Sequence, residues 1–114
     1  MTIEQQIEQL EISMDSAKKI ISDMDSLLRL SSNKDFIQII DEGYFVKEAS
    51  RLVLSKAMPD MSDDAKQKEI DNAIVAIGYL RKHFSGIVAM GRMAEKSLKD
   101  SEVTRDEMMQ EAAQ

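Results

Sequence analysis

Two long stretches of this chain repeat apolar residues in alternating steps of four and three, and this pattern limits the fold more than any other feature. A stripe with this spacing lies along one side of an α-helix and is typical of coiled coils and helical bundles. In the first stretch the positions are Ile3, Ile7, Leu10, Met14, Ala17, Ile21, Met24 and Leu28. No Pro or Gly interrupts residues 1–30, so the pattern predicts one helix over about residues 3–31. Ile20 and Leu27 broaden its stripe, which favours bundle packing.

A second stripe of the same kind predicts a long helix over about residues 62–99. Its positions are Ile70, Ala73, Ile77, Leu80, Phe84, Ile87, Gly91, Ala94 and Leu98. Gly78, Gly86 and Gly91 lie within this predicted helix, where each glycine costs up to about 1 kcal/mol relative to alanine. Because a missing Cβ lets another backbone come close, we expect close helix contacts at all three glycines. A functional hinge is the alternative explanation.

The segment between the two long helices carries most of the turn signals. The polar residues 31–35 end the first helix and offer caps for the next one. Two short helices are predicted over about residues 34–42 and 45–57, with a break at Gly43 between them. Pro59 marks a turn, because proline cannot continue the preceding helix.

The same middle region carries the candidate core and the next helix cap. Asp60 or Ser62 can cap the long helix that follows the turn. Of the chain's five aromatic residues, Phe36, Tyr44 and Phe45 lie in this region. Since aromatic side chains bury the most apolar surface, we expect the compact core here.

Composition agrees with an all-α fold. The chain has 114 residues, a formal net charge of −6, no cysteine, four glycines and one proline. We therefore expect long heptad-patterned helices in a helical hairpin or bundle with one or two short helices between them. One domain should span residues 1–98, and residues 100–114 should form an acidic tail that is frayed or makes a short helix. No apolar run approaches the roughly 20 residues of a membrane span, so we expect a cytoplasmic location and no membrane contact.

No residue pattern in the chain predicts catalysis. Without cysteine, there is no thiol nucleophile, disulfide or cysteine zinc site. The single histidine, His83, has no Glu, Asp or Cys at the helical spacing that metal binding or acid–base chemistry would require. Residues 62–98 carry six basic and five acidic residues, which is a mixed solvated surface and makes nucleic-acid binding unlikely. We expect no enzyme activity, no cofactor and no metal site.

Three stretches of packing residues cover roughly the middle half of the chain: Asp35 through Phe45, Glu48 through Val53, and Ile70 through Arg81. Together they resemble a group of small helical proteins of tailed bacteriophages whose activities are unassigned. The resemblance implies a viral origin and a bacterial host cytoplasm or virion as the location.

Together these observations predict an interaction protein that self-associates through its apolar stripes. In a phage it would be a virion or assembly component. The two stripes can cover each other within one chain or pair between chains; we expect a homo-oligomer, most simply a dimer, with another protein as a further partner. The alternative is an acidic inhibitor that binds a host or defence protein and blocks a nucleic-acid site. The predicted self-association residues are Ile7, Leu10, Met14, Ile21, Met24, Leu28, Ile70, Ile77, Leu80, Phe84 and Ile87.

Overall fold

The computed structural model describes all residues from Met1 to Gln114, and the chain is helical with no β-strand. The all-α prediction is therefore confirmed. Four α-helices follow in chain order: α1 (Ile3–Ser31), α2 (Lys34–Phe36), α3 (Ala49–Ser55) and α4 (Asp64–Ala113). A π-helix, Ile37–Glu48, joins α2 to α3, and a 3-10 turn, Pro59–Met61, precedes α4.

Short polar side chains begin three of the helices. Thr2 and Gln5 form a reciprocal capping box at α1, in which Thr2 Oγ1 accepts from the Gln5 N–H at 3.2 Å and Gln5 Oε1 accepts from the Thr2 N–H at 2.9 Å. Asn33 caps α2 by accepting from the N–H groups of Asp35 and Phe36. The cap of α4 is Asp63, whose Oδ1 accepts from the Ala65 N–H at 2.7 Å. The predicted caps, Asp60 and Ser62, were therefore wrong. The cap is the next residue, Asp63, whose side-chain oxygen reaches the first N–H groups of the helix.

Contacts divide the chain into two compact units, whereas we expected one domain followed by a tail. Unit 1 consists of residues 1–27 and 86–114, and unit 2 consists of residues 28–85. In unit 1, α1 and the second half of α4 pack against each other as an antiparallel hairpin. Its buried side chains are Met14, Ala17, Met24, Leu27 and Ala94.

Unit 2 has an aliphatic core with an aromatic cluster. Leu52, Ile70 and Ile77 form the buried core, and Tyr44 and Phe45 are among the partly buried residues packed against it. The Phe84 ring lies 5.9 Å from the ring centre of Phe36 and 6.1 Å from that of Phe45. The expected aromatic cluster is therefore present, but its rings are only partly buried. The buried core beside it is aliphatic, and unit 1 has buried residues of its own.

Gly43 does not break the helix, and the prediction of two separate short helices was wrong. The backbone stays helical from Lys34 to Ser55 and widens to a π-helix around Gly43, which has no left-handed φ angle. A Cβ at position 43 would lie 2.9 Å from the Gln38 carbonyl oxygen, five residues earlier. The glycine thus serves close packing of the helix backbone on itself.

The predicted tail is part of α4, which continues to Ala113. No turn separates these residues from the rest of α4, because no Gly or Pro interrupts this stretch and the Thr104 hydroxyl donates to the Asp100 carbonyl at 3.0 Å, a bond compatible with a helix interior. Ser101, Glu102, Arg105 and Met108 are partly buried in unit 1. The contacts with α1 therefore continue beyond residue 99.

Candidate interaction surfaces

Unit 1 has a groove on one side of its hairpin. The groove has a volume of about 370 Å³ and is lined by Ser13, Ser16, Ala17, Ile20, Met90, Met93, Ala94 and Ser97. Met90 and Met93 are 57% and 72% exposed. Methionine is flexible and polarisable, so a surface of this kind adapts to apolar partners. The heptad pattern does not indicate this groove, because Met90 and Met93 lie beside the heptad positions rather than on them.

Many of the predicted self-association residues are covered by their own chain. Met14, Met24, Ile70 and Ile77 are buried. Six further residues of the set are partly buried: Ile7, Leu10, Ile21, Leu80, Phe84 and Ile87. A substitution at the buried positions would therefore affect folding before it affects association.

Leu28 departs from the predicted pattern at the end of α1. Its side chain is 37% exposed, while the neighbouring Leu27 is only 8% exposed. The heptad pattern predicts that Leu28, four residues after Met24, is the next buried residue. In the structure it is Leu27, three residues after Met24. Since Leu27, Leu28 and Leu30 are all apolar, the periodicity alone could not determine which of them is covered.

Only Gly91 makes the close contact that we expected of three glycines. A Cβ at position 91 would clash with the Met24 side chain, at 2.7 Å from its Cγ and closer still to its Cβ and Sδ. A Cβ at Gly78 or Gly86 would meet no atom within 4 Å. The prediction for Gly78 and Gly86 was therefore wrong within the chain, because both positions are on the side of α4 that no other helix covers.

The two units differ in charge. Unit 2 has nine basic and nine acidic residues, whereas unit 1 has six basic and twelve acidic ones, which accounts for the whole net charge. Residues 1–16 contain four acidic residues and no basic one, and residues 100–114 contain five acidic residues and one basic one. Because the hairpin is antiparallel, both segments lie at the same end of unit 1. That end is a strongly acidic surface.

Unit 2 exposes apolar side chains along the helix that contains the π segment. Ile39, Val46, Val53 and Leu54 are each more than half exposed. Val53 and Leu54 line a shallow groove together with Ala49 and Ser50. These side chains lie outside the core that Leu52 forms with α4.

An ion pair marks the junction of the π-helix with α3. The Arg51 guanidinium donates to Glu48 Oε1, with Nε at 2.9 Å and Nη2 as a second donor. This hydrogen bond lowers the pKa of the Glu48 carboxyl below its ordinary value and raises the pKa of Arg51. The Arg51 side chain is 66% exposed and the Glu48 side chain 34%, so water screens the pair and it contributes little to stability.

The remaining polar side chains form no recognisable chemical site. His83 is exposed, and its ring centre lies 6.2 Å from that of its neighbour Phe84. No group of three or more His, Cys, Asp or Glu side chains is arranged to hold a metal ion. None of the helices combines the length and apolar character needed to cross a bilayer.

Comparison with protein-family models, curated proteins and solved structures finds no match to this chain.

Proposed function

We propose that this chain is a non-enzymatic interaction protein that self-associates through helix packing and acts as a virion or assembly component of a bacteriophage. The observation that carries the proposal is the exposed pair Met90 and Met93 beside Ile20 in the groove of unit 1. Fifteen large hydrophobic side chains are exposed, against six large ones that are buried. A chain with more of its large apolar residues outside than inside gains stability when another helix covers them.

The surface for self-association differs from the one that the heptad positions predicted. Because Met14 and Met24 are buried in the hairpin, they are not accessible to a second copy. The serines and methionines of the groove are exposed, and the small serine side chains leave room for a close approach of helices. The bacteriophage part of the proposal depends on the resemblance of the middle of the chain to small phage proteins.

Light scattering across a concentration series tests self-association. We expect the mass to rise toward twice that of one chain. Met93→Asp, which places a charge in the groove, should shift the half-dissociation concentration upward by at least tenfold. Val103→Asp is the matched control, because Val103 is also a largely exposed apolar residue of α4, at 55%, and does not line the groove. A monomeric mass at every concentration, with full helicity, would contradict the proposal.

The acidic end of unit 1 favours a second candidate function, an inhibitor of a host or defence protein. Nine acidic residues and one basic residue in segments 1–16 and 100–114 offer a surface complementary to a basic nucleic-acid site. Mass spectrometry of purified phage particles separates the two candidates. A virion component is present in particles, whereas an inhibitor is absent from them and binds a basic protein with an affinity that falls steeply with salt.

A further inference from the structure

The π-helix determines which aromatic residues of unit 2 can meet. Phe36 and Phe45 are nine residues apart, and both rings contact the Phe84 ring, at 5.9 and 6.1 Å between centres. In an α-helix nine residues make about two and a half turns, which would place the two rings on opposite sides. A π-turn takes about 4.4 residues because its hydrogen bonds span five residues, so nine residues make about two full turns. The shared contact with Phe84 therefore requires the π winding.

The same segment carries a second apolar pattern that the π winding does not use. At the α-helical period, one side would present Phe36, Ile39, Gly43, Val46, Ser50, Val53 and Ala57, in steps of three and four. Ile39, Val46 and Val53 are 64%, 60% and 55% exposed. Seven residues make about two α-turns but only about 1.6 π-turns. The π-helix thus separates Ile39 from Val46, whereas an α-helix would align them.

We infer that residues 37–48 interconvert between the observed π winding and an α winding. The contact of Phe36 with Phe84 stabilises the π winding. In the α winding Phe36 is about four and a half turns from Leu52, so its ring leaves the core and joins the stripe of Ile39, Val46 and Val53. Phe45 is seven residues from Leu52 and stays on the core side in both windings. The conversion changes which apolar side chains unit 2 offers to solvent.

Two residues, Gly43 and Asp41, determine the balance between the windings. A Cβ at Gly43 would lie 2.9 Å from the Gln38 carbonyl oxygen, so the π winding requires glycine there. Asp41 opposes the α winding, because it lies eleven residues before Leu52, about three α-turns, and its carboxylate would turn toward the core. Gly43→Ala and Asp41→Leu should therefore favour the α winding by independent routes.

Fluorine NMR on the full chain tests the inference, with 4-fluorophenylalanine at position 36 or at position 45. In the wild type both labels should be shielded from a soluble paramagnetic probe. In Gly43→Ala and in Asp41→Leu, relaxation at position 36 should rise severalfold while position 45 stays shielded and the helical circular dichroism is kept. Gly78→Ala is the matched control, because its added Cβ meets no atom within 4 Å, and it should leave both labels shielded.

The inference holds only if at least one of the two variants gives an exposed position 36 with a shielded position 45 in a fully helical chain. A shielded position 36, or unfolding, in both variants overturns it. The wild-type chain labelled at position 36 should exchange between the two windings. Saturation at the fluorine frequency that position 36 has in the exposed variant should therefore attenuate the main wild-type signal of position 36. Absence of this transfer would show that the π winding does not interconvert.

Discussion

Gly91 faces Met24 across the hairpin of unit 1, and the missing side chain of the glycine is what lets the methionine lie there. A Cβ at position 91 would lie 2.7 Å from Met24 Cγ and would also overlap Met24 Cβ, an atom that no rotamer change can move. Met24 is 1% exposed, the least of any large side chain. The two residues therefore fix how closely α1 approaches the second half of α4.

Alanine at the helical glycines should change stability in opposite directions. Gly91→Ala should lower the free energy of unfolding by roughly 1–3 kcal/mol, because the methyl overpacks against Met24. Gly78→Ala should raise it by about 0.4–1 kcal/mol, because the methyl enters open space and alanine restricts the unfolded chain. Urea unfolding of the two variants measures both effects. Stabilisation by Gly91→Ala would show that α1 and α4 can separate at this point without cost.

The heptad pattern was sufficient to predict the long helices but not to predict what covers them. Met14 and Met24 were placed correctly on a packed stripe, because an unbroken period identifies a helix face whatever its partner is. Whether that partner is the same chain depends on tertiary contacts, which periodicity does not contain. The same limit explains Leu28, which is exposed although it continues the pattern, because Leu27 and Leu30 beside it are also apolar.

The π-helix and the groove could not be predicted by the same reasoning. Gly43 predicts a break because glycine usually marks a helix end. A π winding also departs from the α-helical period of about 3.6 residues per turn, on which apolar spacing patterns depend. Met90 and Met93 lie outside the heptad positions, so they were not recognised as a surface. Their separation of three residues on α4 is the signal that could have indicated one.

Truncation of one methionine in the core of unit 1 and of one in its groove should have different effects on stability. Met24→Ala should cost about 2–5 kcal/mol, because it leaves a cavity at a fully buried position. Met93→Ala should change stability by no more than about 0.5 kcal/mol, since the side chain is 72% exposed. Chemical unfolding of both variants under identical conditions gives the comparison. Equal losses would mean that the groove is part of the folding core.

Of the two polar residues Ser62 and Asp63 at the start of α4, only Asp63 should destabilise the chain when it is replaced by alanine. Asp63→Ala should cost about 0.5–2 kcal/mol, because Asp63 Oδ1 accepts from the N–H groups of Ala65 and Lys66. Ser62→Ala is the matched control, since the Ser62 side chain does not cap the helix, and should change stability by less than about 0.5 kcal/mol. Thermal unfolding monitored by circular dichroism measures both. A larger loss of stability from Ser62→Ala than from Asp63→Ala would show that Ser62 caps the helix instead.

The pKa of Glu48 should depend on Arg51. The hydrogen bond from Arg51 holds the pKa of this carboxyl below its ordinary value of 4.5, and Arg51→Gln should raise it. A carboxyl whose pKa is lowered by folding stabilises the folded chain above its ordinary pKa, and this contribution is lost as the pH falls through the lowered value. The wild type should therefore lose slightly more stability than Arg51→Gln on acidification from pH 7 to below 4.5. Carbon-detected NMR titration of the Glu48 carboxyl in the wild type and in Arg51→Gln measures the shift directly. A wild-type Glu48 that titrates at 4.5 or above would show that the ion pair does not persist in solution.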